Sequence, residues 1–329
     1  MAKKSKKSNQ PSTSLGVGRV IRNTGSSYLV RLDSGETVNC RIKGNFRIKG
    51  IRTTNPVAVG DIVSVAKAAD DADYIVNISP RKNYIIRKAS NLSHESHILA
   101  SNIDQTFLIA SIKDPLTPTT FIDRFLATAE AYSIKAFLVL NKMDIWDAND
   151  LEYANALKNL YESIGYDVLF VSATTGEGLD SLKSEIKEKI SLLAGNSGVG
   201  KSSLINALVP GADLKVGEIS DTHRTGTHTT TFSEMIDLPD GGALIDVPGV
   251  RGFGTIEFAP NEVGHYFPEI FHHSKNCKYS DCKHTTEPGC AVIHAVNDHL
   301  ISESRYTSYL SVLDDALNEE GSDKYRKPF

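Results

Sequence analysis

The 329-residue chain is long enough for two or three domains, and with 40% hydrophobic and 23% charged residues its composition is globular rather than disordered. Its net charge of −4 conceals a split. The first hundred residues hold 17 Lys/Arg against 7 Asp/Glu, and the remainder holds 19 against 33. A basic module joined to an acidic one predicts a polyanionic partner for the first, although an uneven distribution by chance would look the same.

No apolar stretch approaches the roughly 20 residues of a membrane helix, so no membrane partner is expected. The basic start from Met1 to Ser8 leads into Gln10, Pro11 and Ser12 rather than an apolar core, so no secretory signal is expected and the reading is cytoplasmic. In that setting the crowding of three of four cysteines between positions 277 and 290 reads as metal binding rather than disulfides.

Residues 1–13 read as a flexible basic tail. From Leu15 to about Ile86 short β-type runs alternate with turns, the clearest being Val17–Ile21, Ser27–Leu32, Val38–Ile42 and Asp61–Val65. Asp33-Ser34-Gly35-Glu36 is a hairpin turn between the second and third. Four or five short strands in about seventy residues fit a small closed barrel, with the OB-fold first among candidates. Between two strands lie Arg41, Lys43, Arg47, Lys49 and Arg52, interleaved with Phe46, as candidate RNA contacts.

From about Asn102 the period changes. A strand over Thr106–Ser111 precedes a helical face containing Phe121, Ile122, Phe125, Leu126, Ala129 and Tyr132, then a strand over Lys135–Leu140. Helices near 151–163 and 179–188, strands over Val168–Val171 and Ile190–Ala194, and a helix to about Leu208 continue the alternation. This predicts a mostly parallel sheet covered on both faces, with its ligand at the carboxyl ends of the strands. A last region, about 260–329, carries the cysteines and a helix near 300–317.

Three motifs sit at those strand ends. Asn141-Lys142-Met143-Asp144 reads N-K-x-D: the Asp144 carboxylate can accept from the N1–H and exocyclic amine of guanine, a donor pair adenine lacks. Asn141 and Lys142 would brace the base and the phosphate loop, and Ser172-Ala173 matches an S-A element that helps hold the base. Gly195-Asn196-Ser197-Gly198-Val199-Gly200-Lys201-Ser202 is a full phosphate loop, followed by Ser203 opening a helix. There Lys201 would reach the β- and γ-phosphates and Ser202 would supply a hydroxyl to Mg²⁺. Asp246-Val247-Pro248-Gly249 reads D-x-x-G, with Asp246 holding Mg²⁺ through water and the Gly249 N–H sensing the γ-phosphate.

Val250 stands where many GTPases place a water-orienting glutamine, so slow intrinsic turnover is expected. In Gly226-Thr227-His228-Thr229-Thr230-Thr231, either Thr229 or Thr230 would complete the Mg²⁺ shell. His228 is a candidate catalytic residue for positioning water, or a polar loop histidine without that duty. The base-selecting motif precedes the phosphate loop, the reverse of an ordinary small GTPase, so the domain reads as circularly permuted.

Cys277-x4-Cys282-x-His284-x5-Cys290 is a Cys₃His set for one tetrahedral, structural Zn²⁺, against the plainer reading of buried free thiols beside an incidental histidine. Neighbouring His265, His272 and His273 are spare.

This order of motifs, with Pro56-x3-Gly60-Asp61 and Glu287-Pro288-Gly289-Cys290, resembles the ribosome small-subunit-dependent GTPase A family (RsgA, also YjeQ). The resemblance implies an N-terminal OB-fold over 14–90, a circularly permuted P-loop GTPase domain over 98–258 and a C-terminal zinc-binding helical module over 260–329. It implies GTP contacts on 141–144 and 195–203, and zinc on the four residues above. It further implies a monomer that binds the small ribosomal subunit and its rRNA late in assembly and hydrolyses GTP to GDP when stimulated by it. Thr227 departs from the arginine usual before the switch histidine. The competing readings are an RNA-binding assembly factor with GTP as a static ligand and, disfavoured by Asp144, an unrelated ATPase.

Overall fold

The computed structural model describes residues 13–25, 27–42, 56–68, 72–88, 96–214, 233–246 and 258–324. Two compact units divide the chain. The first comprises residues 1–103, 228–236 and 245–248, and the second residues 104–227, 237–244 and 249–329.

In the first unit, β1 (Thr13–Asn23), β2 (Tyr28–Leu32), β3 (Thr37–Ile42), β4 (Ile62–Lys67) and β5 (Asp73–Ile78) succeed one another along the chain. Alternation sets which side chains point inward: Tyr28, Val30 and Leu32 of β2 and Val38 and Cys40 of β3 are buried between more exposed neighbours. The pairing order is β1-β2-β3-β5-β4, and β4 returns to β1. Only β3–β5 is parallel. A closed five-stranded barrel with this order has the OB topology. Its core is Val20, Tyr28, Val30, Leu32, Val38, Cys40, Val57, Val63, Val65 and Ile75. Burial pushes the Cys40 thiol up to about 12, with Asp73 adding to it, so the residue is an inert core group.

A two-stranded ribbon, β6 (Tyr84–Lys88) and β7 (Ser96–Ser101), succeeds the barrel and had no counterpart among the expected strands. Buried Asp61 joins ribbon and barrel. Arg81 donates to both of its oxygens at 2.6 Å, Ser101 Oγ donates at 2.6 Å, and the Ala58 N–H at 2.9 Å. Gly60 beside it has φ +96°, and a Cβ there would lie 2.0 Å from the Ser101 carbonyl oxygen, so only glycine lets the two segments approach.

The second unit holds β8 (Gln105–Ala110), α1 (Thr119–Ala131), β9 (Lys135–Leu140), α2 (Ala148–Ile164), β10 (Asp167–Phe170), α3 (Leu179–Ile186), β11 (Ile190–Gly195) and α4 (Lys201–Leu208). Strands pair in the order β10-β9-β8-β11, all parallel. β8 is buried along its whole length, as a strand covered on both faces must be. A short hairpin, β12 (Glu234–Asp237) and β13 (Ala243–Asp246), comes next, and then α5 (Pro268–Ser274), α6 (Ala291–Asn297) and α7 (Glu303–Lys324). Among the described residues no helix is long and apolar enough to cross a membrane.

The C-terminal helices share their core with the α/β layer. Ala127 of α1 belongs to the cluster of Phe267, Ile270, Val292, Tyr309, Val312 and Leu313. At its centre Arg305, fully buried, donates to Asp123 of α1 at 2.8 Å and to both oxygens of Glu269 at 2.6 and 3.1 Å, with the Phe267 ring 4.8 Å from its guanidinium. Asp123 also accepts from Tyr161 of α2 at 2.8 Å and Ser308 at 2.6 Å. Both oxygens of that carboxylate have partners, the condition under which a buried charge is tolerated. Arg305→Met should lower unfolding stability by about 3–5 kcal/mol, because Asp123 then lies fully buried, and Glu269 largely so, without their cation. Chemical denaturation of the full chain, monitored by circular dichroism, measures it.

Candidate nucleotide site and metal centre

Parallel pairing sends the chain leaving β8, β9, β10 and β11 to one edge of the sheet, where three of the predicted motifs meet. Asn141 is the joint. Its main-chain N–H continues the ladder to Ala110 O at 2.9 Å. Its side-chain Nδ2 donates to Val199 O in the phosphate loop at 2.8 Å, and its Oδ1 accepts from the Ala173 N–H at 3.1 Å. One buried carboxamide therefore ties N-K-x-D to the S-A element and the phosphate loop. The tie depends on Gly200: a Cβ there would sit 2.4 Å from Asn141 Nδ2, and its φ is +91°.

Asp144 projects from a 3-10 turn at the mouth of this edge and is exposed. Ser172 Oγ donates to its Oδ1 at 2.5 Å, and Ser172 Oγ in turn accepts from the Thr175 N–H at 3.0 Å. The carboxylate is thus aimed by a hydroxyl that is itself fixed. Lys142 has left-handed backbone (φ 69°), and its Nζ donates to Asp114 O. The Met143 N–H continues the ladder by donating to Val171 O.

Gly195 ends β11, Asn196, Ser197, Gly198 and Val199 form the loop, and Gly200 caps α4 in left-handed conformation. Lys201, Ser202 and Ser203 make the first turn of that helix, so its N-terminus adjoins the loop. Asp246 is the last residue of β13. His228, Thr229, Thr230 and Gly249 lie outside the described residues, as do Lys43, Arg47, Lys49 and Arg52 of the basic stretch. Arg41, at the end of β3, points out of the barrel.

The segment 112–117 was missed by sequence reasoning. It supplies the Asp114 carbonyl, and Lys113 reaches Asp150 at 2.7 Å and Asp147 at 3.5 Å, the two residues that form a capping box at the start of α2. The D-x-x-D of that box was the available signal.

At the other cluster, the ligand atoms of Cys277, Cys282, His284 and Cys290 all lie within 4.8 Å of one another. Cys277 Sγ and Cys290 Sγ are 3.9 Å apart, and His284 Nδ1 is 3.6 and 3.4 Å from them. A tetrahedral Zn²⁺ with ordinary bond lengths has S···S and S···N edges of about 3.8 and 3.5 Å, so these residues fit the ion. Burial holds the His284 imidazole below its usual value, in the neutral form that a metal requires. Burial also pushes Cys282 up to about 12 and raises Cys290, a crowding of desolvated thiols that a cation relieves.

The loop is fixed from outside. Tyr306 OH donates to His284 O at 2.6 Å and Tyr309 OH to Lys283 O at 2.7 Å. Burial alone would raise the Glu287 carboxyl, but N–H bonds from Lys283, Thr285 and Thr286 bring it down to about 2.

The match to known proteins is extensive. A family model described as RsgA GTPase covers residues 78–256, and one described as RsgA N-terminal domain covers 17–75. The chain belongs to the RsgA GTPase family. It is a GTP-hydrolysing enzyme of the permuted type. Relatives named small ribosomal subunit biogenesis GTPase RsgA from Bacteroides fragilis and Phocaeicola vulgatus are 56% and 57% identical over 312 residues, covering 95% of this chain and 99% of each relative. The crystal structure of YjeQ from Thermotoga maritima superposes with TM-score 0.74 at 33% identity, covering 92% of this chain and 98% of that one. YloQ, described as a circularly permuted GTPase, gives 0.70 at 28%, covering 95% and 96%. A model described as a 50S ribosome-binding GTPase matches only residues 191–323, beginning at the phosphate-loop strand.

Asn141→Ala strips a buried carbonyl and a backbone N–H of their partner, a loss of about 1–3 kcal/mol that reads as a roughly tenfold to hundredfold rise in the GDP dissociation constant. Trp146, the sole tryptophan, packs edge-on against Phe170 at 5.3 Å two residues beyond Asp144, so its emission reports the titration. Native mass spectrometry should find one zinc per chain, absent from Cys290→Ser.

Proposed function

We propose that this RsgA-family GTPase acts in late maturation of the small ribosomal subunit, binding the 30S particle through rRNA and hydrolysing GTP to GDP and phosphate when the particle stimulates it. The observation that carries the nucleotide half is the Asn141 carboxamide joining three motif loops at one sheet edge. The partner half rests on relatives named for small-subunit biogenesis that align along 95% of the chain. The split of charge supports it, since the first hundred residues are the basic part.

In this reading Asp144, aimed by Ser172, accepts from the N1–H and amine of guanine, and Asn141, Lys142, Met143 and Ala173 shape the base pocket. Gly195 to Gly200 present main-chain N–H groups to the phosphates, Lys201 reaches the β- and γ-phosphates, and Ser203 extends the helix turn beneath them. Mg²⁺, when bound, neutralises charge developing on the phosphates; Ser202, Asp246 and Thr229 or Thr230 are the residues to hold it. Gly249 reads the γ-phosphate, and His228 positions water. One Zn²⁺ held by Cys277, Cys282, His284 and Cys290 is structural, because four protein ligands leave no open position. Arg41, Lys43, Arg47, Lys49 and Arg52 of the barrel contact rRNA. The protein works as a cytoplasmic monomer.

GTP turnover measured with and without purified small subunits tests this, with large subunits as control. Strong stimulation by the small subunit alone is expected, and response to the large subunit alone would move the partner. Val250 in place of glutamine favours a second reading, GTP as a static ligand. Bound nucleotide released by heating would then be GTP rather than GDP. Asp144→Asn should lose guanine and gain xanthine nucleotides, because an amide can donate to the C2 carbonyl of xanthine where a carboxylate cannot.

A further inference from the structure

Strand β1 changes partner along its length. From Thr13 to Arg19 it pairs with β4, ending at Arg19↔Ile62. A bulge then falls between Val20 and Arg22 in its pairing with β2, and a bulge bends a strand and re-aims the residues beyond it. Past the bulge β1 takes β12 instead. Arg22 pairs antiparallel with Glu234, and the Asn23 N–H donates to Ser233 O at 3.4 Å. The side chains add an ion pair, with Arg22 Nε donating to Glu234 Oε1 at 2.8 Å and Nη2 to the same oxygen. The start of β12 therefore groups with the barrel: Glu234 to Ile236 fall in the same compact unit as β1 to β5.

The position of β12 in the chain gives this contact its meaning. It begins just after Gly226–Thr231 and leads through one turn into β13, which ends on Asp246. Both segments expected to read the γ-phosphate and Mg²⁺ are thus continuous with a hairpin whose other edge is bonded to the basic barrel. Neither Arg22 nor Glu234 belongs to any nucleotide motif.

We propose that the β1–β12 contact couples what is bound on the barrel to stimulated hydrolysis, with Arg22 and Glu234 as positioning residues that keep β12 in the productive register. The proposal rests on the small-subunit reading above. The join suits a coupling element because it is small. Its ion pair is exposed by 47% and 40%, and such pairs add little to stability, so one ladder rung can be made and broken without unfolding either partner. The coupling runs through the backbone of a two-strand hairpin.

The test compares the full-length chain with Arg22→Glu, Glu234→Arg and the exchanged pair R22E/E234R, measuring basal turnover, co-sedimentation with small subunits and stimulated turnover. Basal turnover and co-sedimentation should stay at the wild-type level in all. Stimulation should fall about fivefold in each single variant, the scale of an exposed pair, and return in the exchange. Equal stimulation in all four chains overturns the coupling. So does loss of co-sedimentation in R22E that E234R fails to rescue, since Arg22 would then be an RNA contact. Should a charge reversal fail to fold, Arg22→Ala and Glu234→Ala give the same comparison of stimulated with basal turnover. A wild-type chain unresponsive to small subunits removes the proposed function itself, before any variant is compared.

Discussion

The nucleotide end depends on one carboxamide. Asn141 has its main chain in the ladder to Ala110, its amide on Val199 O and its oxygen on the Ala173 N–H, so three loops from three strands are positioned by a single buried side chain. None of these bonds depends on the order in which the strands occur along the chain. They need β9, β10 and β11 to run parallel and end at one edge, which the register provides. A permuted chain therefore builds the same site as an unpermuted one, and Gly200 is what keeps the approach open.

The metal module is held by different physics. Its four ligands lie within fourteen residues, but the loop that carries them is braced by tyrosines from α7, and α7 is held on α1 by the Arg305–Asp123–Glu269 knot. Buried ion pairs of this kind contribute less to net stability than to selecting one arrangement over others, since a misdocked helix would strand a guanidinium without a carboxylate. The cluster thus shares an apolar core with α1 of the α/β layer.

What was legible in the sequence was local. N-K-x-D, the phosphate loop and the Cys₃His spacing are contiguous residues whose chemistry is written in their side chains, and the parallel strands are near-continuous apolar runs, so β9 falls on 135–140 as read. The hairpin turn at Gly35 was equally plain, and the helix read near 300–317 is longer, running from Glu303 to Lys324. The closure of β4 on β1, the exchange of β4 for β12 beyond the bulge, and the β6–β7 ribbon were not legible, because pairing between distant segments leaves no pattern in either one. The Asp114 carbonyl that receives Lys142 has no side-chain signature at all. Arg305 looks like any helical arginine until α1, 182 residues earlier, is folded beside it.

The permuted order also sets what the ribosome making this chain releases first. β8, β9 and β10 emerge as consecutive parallel neighbours and can pair before β11 is synthesised. The base-reading loop is therefore complete while the loop for the phosphates is still within the exit tunnel or unmade. A nascent chain in this state has the N-K-x-D and S-A loops without the phosphate loop, so its first three parallel strands assemble on their own apolar pairing before the phosphate loop can contribute.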